Sequence, residues 1–193
     1  MKRVCVFCGS SAGSRSEYAQ VAAATGEAIA RRGLGLVYGG GHVGLMGIVA
    51  DAALRSGGEV IGVITEALRD REVAHEDLPQ LFVVRTMHER KAKMAELSDA
   101  FLVLPGGIGT MEEFFEVWTW GQLGEHRKPV GLVNVAGYFD GLIEFIGHME
   151  VEEFLKSKHR EMLIVRHTPS AVLDAFASYE PPAIGKWIGR PEI

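Results

Sequence analysis

The chain has only two cysteines in 193 residues, Cys5 and Cys8, which is too few for the disulfide framework of a small secreted domain. They form a CxxC, but inside an expected strand rather than at a helix N-terminus, where such pairs are activated. Two reduced thiols in a cytoplasmic protein are the expectation. No apolar run is long enough to cross a bilayer, and the one after Met1-Lys2-Arg3 is too short for a signal peptide, so no membrane partner is expected. Basic residues are scattered and the formal charge is −5, which leaves no electrostatic footprint for nucleic acid. The motifs GxSxG, HExxH and GxxxxGK[ST] are also missing, and the seven histidines show no metal-ligand spacing, so no metal site is expected.

What is present is a core-forming composition, 47% hydrophobic and 23% charged, suited to one globular domain. Residues 1–179 are expected to form it, and 180–193, opening with Glu180-Pro181-Pro182, to be a tail. Apolar runs at Arg3–Phe7, Leu34–Tyr38, Val60–Ile64, Leu81–Val84, Phe101–Leu104, Val130–Val135 and Met162–Val165 predict strands. Helices are predicted at Ser16–Arg32, Leu45–Arg55, Met87–Leu97, Met111–Leu123, Tyr138–Glu150, Val151–Lys156 and Ser170–Ser178. This alternation predicts an α/β fold, a doubly wound parallel sheet of the Rossmann type with its ligand at the carboxyl ends of the strands.

Three loops after predicted strands are rich in small residues: Gly9–Gly13, Gly39–Gly44 and Pro105–Thr110. In a parallel sheet they share one edge and can converge on one ligand. Glycines let the backbone approach an anion, and a helix start supplies N–H groups and a favourable dipole. With hydroxyls at Ser10, Ser11 and Thr110, the ligand expected is a nucleotide, with Gly40 and Gly41 among its contacts. Gly39, Gly41 and Gly44 also match GxGxxG, with Glu66 beyond the next strand as a ribose-binding acid, but no residues for positioning a hydride acceptor are evident.

Arg90 and Lys91 are consecutive cations near a helix start, where they oppose the macrodipole unless an anion compensates. Arg90 carries a fork suited to phosphate or carboxylate. Glu112 and Glu113 diverge by about 100°, so at most one should face the loop; spacing does not say which. Phe114, Phe115, Trp118 and Trp120 are expected in the core or a subunit interface.

Pro105–Glu113 reads PGGxGTxxE and Gly39–Gly47 reads GGGxxGLMG. With Phe7–Ser11, Met87–Lys91 and Lys128–Leu132, the chain resembles the LONELY GUY family of cytokinin riboside 5′-monophosphate phosphoribohydrolases, also labelled lysine decarboxylase-like. The resemblance implies hydrolysis of the N-glycosidic bond of an N6-substituted adenosine 5′-monophosphate, without metal or organic cofactor, at a site on a homodimer interface. It implies Arg90 and Glu113 as the catalytic pair. Glu72, Lys91, Gly107, Ile108, Gly109, Thr110, Met111, Glu112 and Thr119 then contact the substrate. Thr119 fits poorly within one chain, since six residues carry it about 240° around the helix from Glu113; a dimer partner would resolve this. Thr65 stands where the family commonly has proline, and Ile108 where tyrosine is common. A plain AMP nucleosidase and a non-catalytic nucleotide or molybdenum-cofactor carrier stay open as alternatives.

Overall fold

A computed structural model describes residues 1–70, 74–75 and 78–182. Its centre is a parallel seven-stranded sheet: β1 (Arg3–Phe7), β2 (Gly35–Tyr38), β3 (Val60–Thr65), β4 (Gln80–Val84), β5 (Ala100–Val103), β6 (Val130–Val133) and β7 (Leu163–Arg166). The spatial order is β4-β3-β2-β1-β5-β6-β7. The chain steps outward from β1 to β4, then returns to lay β5 beside β1. That reversal opens a crevice at the carboxyl ends of β1 and β5, where ligands of doubly wound sheets bind.

Strand alternation feeds two cores. Val4 and Val6 point toward α1 (Ser16–Arg31), α2 (Gly44–Arg55) and the last helix, α8 (Pro169–Ala177). Cys5 and Phe7 point toward α4 (Met87–Leu97), α5 (Ile108–Leu123) and α6 (Asp140–Val151). Both faces of the five inner strands are covered, which is why these are near-continuous apolar runs, while the edge strands β4 and β7 stay partly exposed. Phe114 and Trp118 are buried in the second core, and Trp118 donates its indole N–H to the His159 carbonyl at 3.1 Å.

Three expectations need correction. Val151–Lys156 is not a helix: the chain turns out of α6 with Glu153 at φ 63°, and the short helix that follows is α7 (Ser157–Arg160). A four-residue helix, α3 (Glu66–Arg69), follows β3, and Thr65 caps it by accepting from the Leu68 N–H at 3.3 Å. The residue standing in place of the family's proline is therefore a buried N-cap. Glu66 is the exposed first residue of α3. Finally, α5 begins at Ile108 rather than Met111, so Gly109 and Thr110 belong to its first turn. The expected tail lies outside the described residues from 183 onward.

Candidate active site

Backbone hydrogen bonds join the three glycine loops. Gly9 donates to the Pro105 carbonyl at 3.0 Å, and Leu45, in the first turn of α2, donates to the Gly9 carbonyl at 3.0 Å. Gly44 takes φ 54°, and a Cβ there would meet the Ser10 carbonyl carbon at 2.3 Å, so glycine is what lets α2 start against the first loop. At α5 the first intrahelical bond runs from Met111 N–H to the Gly107 carbonyl at 3.1 Å. The N–H groups of Ile108, Gly109 and Thr110 thus precede the helical ladder and carry the positive end of its dipole.

Two cavities flank these loops. One, of about 270 Å³, is lined by the loop Gly9–Gly13, Pro105–Gly107, Tyr18 and Tyr138. The other, of about 460 Å³, has a polar side of Ser10, Thr110, Glu112, Glu113 and Arg90 and an apolar side including Met46, Ile64, Leu68 and Met87. Ser10 and Gly107 border both. A side chain at Gly107 or Gly109 would point into open space, and Ile108 is 90% exposed.

Arg90 is 6% exposed and held at three points. Its Nε donates to the Val63 carbonyl at 2.9 Å, Nη2 to the Gly39 carbonyl at 3.2 Å, and Nη1 to Glu113 Oε1 at 3.0 Å. Three of its five N–H groups are spent. The side chain is a strut anchored on one carbonyl within β3 and one just past β2 and aimed at one carboxylate, not a fork open to phosphate. Gly39 is what admits it, because a Cβ there would lie 2.0 Å from Nη2. The start of α4 is fixed from both sides: Thr86 Oγ1, at the N-cap, accepts from Glu89 N–H at 3.1 Å, and the Glu89 carboxylate reaches back to accept from Arg85 N–H at 2.9 Å.

Glu112 and Glu113 both border the larger cavity, contrary to the expectation that only one would. They do so differently. Glu113 is largely buried against Arg90, whereas the half-exposed Glu112 pairs with Lys91. Lys91 also pairs with Glu116 at 3.0 Å. Neither acid lies in the first turn of α5, so plain dipole complementation does not explain them. Burial pushes the Glu113 carboxyl above the ordinary carboxylate range; Arg90 pulls it back, Glu112 adds to the rise and Lys91 opposes it. Burial alone would lower Lys91, but its bonds to Glu112 and Glu116 outweigh that and raise it.

The other expected site residues divide. Ser10, Gly41, Gly107, Ile108, Gly109 and Thr110 border the larger cavity. Gly40 borders neither cavity, and its carbonyl accepts from His75 N–H at 2.9 Å. Met111 packs on the core, because the earlier start of α5 rotates it away. Lys91 reaches the site only through Glu112, and Thr119 is exposed and outside both cavities. Glu72 lies outside the described residues. Cys8 borders the cavity, but burial and the Glu113 charge push its thiol strongly up, and Cys5 likewise, so neither is a thiolate.

Sequence reasoning missed Tyr138, whose hydroxyl donates to the Gly106 carbonyl and whose ring meets Tyr18 edge-on at 5.5 Å. It also missed the apolar wall. Met46 lies within GGGxxGLMG, and its place in the first turn of α2 is the available signal. The histidines, unremarkable in spacing, include two that meet in space: His42 and His75 stack at 3.9 Å beside Asp51.

A family model described as "Possible lysine decarboxylase" matches residues 46–176. A probable cytokinin riboside 5′-monophosphate phosphoribohydrolase of Oryza sativa subsp. japonica is 47% identical over 180 residues, covering 93% of this chain and 72% of that one. A cytokinin riboside 5′-monophosphate phosphoribohydrolase of Arabidopsis thaliana is 46% identical over 180 residues, covering 93% and 83%. Among solved structures, the molybdenum cofactor carrier protein of Chlamydomonas reinhardtii matches with TM-score 0.70 at 19% identity, covering 92% of this chain and 96% of that one. The molybdenum cofactor binding protein of Rippkaea orientalis gives 0.68 at 18%, covering 92% and 97%. Identity that low establishes a shared fold and no shared ligand. Identity near one half to the plant proteins, along nearly the whole chain, does more: the chain belongs to the LONELY GUY family of cytokinin riboside 5′-monophosphate phosphoribohydrolases, within the broader group described as possible lysine decarboxylases.

Proposed function

We propose that the chain hydrolyses the N-glycosidic bond of adenosine 5′-monophosphates, N6-substituted ones included, releasing the purine base and ribose 5-phosphate. The observation that carries this is the buried Arg90–Glu113 pair, 3.0 Å apart, in the wall of a cavity that also holds the N-terminus of α5. The 5′-phosphate sits at the N–H groups of Ile108, Gly109 and Thr110. Base and N6 substituent lie along Met46, Ile64, Leu68 and Met87, which supply apolar contact to a ring and its side group. Glu113 then works on the ribose between them.

Cleaving the C–N bond develops positive charge on the sugar and negative charge on the departing purine. The Glu113 carboxylate stabilises the cationic sugar, holds its hydroxyls and orients the attacking water, as a carboxylate does in glycosidases; the hydroxyl of that water goes to the anomeric carbon and its proton ends on the departing purine. Arg90 opposes the effect of burial on that carboxylate and keeps it aimed. Lys91 argues against the decarboxylase label: a Schiff-base lysine needs a lowered pKa, and the carboxylates of Glu112 and Glu116 raise this one.

A homodimer is part of the proposal. Met87 and Ile108 are exposed apolar residues at the cavity mouth, and Thr119 and Leu123 are exposed further along α5; a second copy would close the mouth and give Thr119 a role. The two free cysteines suit a reducing cytoplasm. No helix among the described residues is long and apolar enough to cross a membrane.

Incubation of the purified protein with AMP, N6-isopentenyl-AMP and the matching nucleosides, followed by chromatography, tests the reading. Free base should appear from the monophosphates and not from the nucleosides. Folded protein that releases no base from either monophosphate refutes it.

A further inference from the structure

Behind the loop that carries Gly39 and Gly41, and bordering neither cavity, three side chains from separate elements meet: His42 after β2, Asp51 on α2, and His75. One ligand atom from each lies within 4.8 Å of the others. Asp51 Oδ1 is 3.2 Å from His42 Nε2 and 3.6 Å from His75 Nε2. Two ligands about 2.0–2.2 Å from a tetrahedral zinc ion are roughly 3.4 Å apart, so both separations match that spacing.

We propose that His42, Asp51 and His75 form a binding site for a first-row divalent cation of the zinc type, distinct from the hydrolytic centre. Two imidazoles and one carboxylate give the nitrogen-rich donor set that favours zinc, cobalt or nickel over magnesium or calcium.

The mobility of the three ligands differs in a useful way. His75 is buried, its Nδ1 lies 3.2 Å from the Tyr38 hydroxyl, and its backbone N–H donates to the Gly40 carbonyl. In the metal-bound form Nδ1–H would donate to the Tyr38 hydroxyl and Nε2 would give its lone pair to the ion, which is the outer-shell arrangement metal-binding histidines use. His42 has a side chain 47% exposed and is the ligand that can turn. The rings now stack within 6° of parallel, and lone pairs converge on one ion only after His42 tilts. Solvent fills the remaining coordination position. Bound metal would tie the β2–α2 loop to residues 74–75, next to the Gly40–His75 bond and the Gly41–Ala74 bridge.

The test uses the full chain, stripped with chelator, exchanged into chelator-free buffer and titrated with Zn²⁺ by calorimetry and with Co²⁺ by visible absorption. One equivalent per chain should bind, with the intense d–d bands of low-coordinate cobalt, and the melting temperature should rise with Zn²⁺ but not with equal Mg²⁺. His42→Ala and Asp51→Asn should each weaken binding by at least about 100-fold, Tyr38→Phe by roughly 10- to 100-fold, and His148→Ala not at all. His42→Ala removes an exposed side chain and leaves the core intact, so its result does not depend on refolding a damaged protein. Absence of stoichiometric binding in the parent chain, an unchanged affinity in His42→Ala, or an equal response to Mg²⁺ overturns the site. Base release plays no part in the readout, so this test and the hydrolytic one fail independently.

Discussion

Replacing Arg90 by alanine removes the strut that holds Glu113, and the structure sets the size of the effect. Three hydrogen bonds go at once, leaving two backbone carbonyls, Val63 and Gly39, and one largely buried carboxylate without this donor. Breaking a buried ion pair from one side costs about 3–5 kcal/mol. The adjoining cavity of about 460 Å³ lets water reach the vacated position, which places the expected loss near the lower bound, ~3 kcal/mol. At about 2–4 °C per kcal/mol for a chain of this length, the melting temperature should fall by roughly 6–12 °C. The loss should depend on pH in a defined direction. Glu113 already has a folded pKa above its unfolded value, so its ionisation costs stability as pH rises from the unfolded value through the folded one. Removing Arg90 lifts the folded pKa further and enlarges that cost. The deficit should therefore be greatest on the alkaline side and shrink as pH falls toward the ordinary carboxylate range. Adding Glu113→Gln should recover part of it by removing the stranded charge. Thermal melts of parent, both single variants and the double variant across pH measure all of this. An Arg90→Ala melting temperature within about 2 °C of the parent at every pH, with no coupling to Glu113, would refute the strut.

Glu113→Gln alone should keep the fold, because the amide oxygen still accepts from Arg90, yet lose roughly 10²–10⁴-fold in base release; turnover within tenfold of the parent would remove Glu113 from the chemistry. Gly39→Ala places a methyl 2.0 Å from Arg90 Nη2, so it should displace the strut and reduce both turnover and melting temperature, while Gly109→Ala, which meets nothing within 4 Å, should leave the melting temperature unchanged and weaken nucleotide binding. Parallel melts and KM measurements on the two alanine variants decide between close packing and ligand space.

The sheet was legible because inner strands buried on both faces are near-continuous apolar runs and the partly exposed edge strands β4 and β7 are apolar as well, and each run found its place within one or two residues. The start of α5 was not, since Gly107-Ile108-Gly109 has loop chemistry, and only Gly107 is outside the helix, as its N-cap. The segment after α6 misled in the opposite sense: Val151, Phe154 and Leu155 have helical spacing, but Glu153 at positive φ breaks the helix. At the site, PGGxGTxxE and Arg90 marked the right region, yet the anchors of Arg90 are backbone carbonyls, which no residue letter records. Asp51 and its two histidines come from separate elements, and local spacing carries no trace of their meeting. The clamp between α4 and α5 was half visible as two adjacent cations and two adjacent acids. Their pairing, Arg90 with Glu113 and Lys91 with Glu112, needed the crossing of two helices.

That crossed pairing makes Glu113 a carboxylate with charged neighbours of opposite sign on its two sides. Lys91 lowers its pKa and Glu112 raises it, both through space, beneath the larger effects of burial and Arg90. Lys91→Gln should therefore move the acidic limb of the kcat/KM profile to higher pH, and Glu112→Gln should move it to lower pH. The Glu112→Gln shift should shrink with added salt, because Glu112 is half exposed and screened, whereas the Lys91→Gln shift should shrink less, because Lys91 is buried. Neither variant removes a bond to Glu113 itself, so a change in the limb reports field rather than lost contact. If the two variants shift the limb in the same direction, or if neither moves it, the group titrating in that limb is not Glu113, and the assignment of the reaction to this carboxylate falls with it.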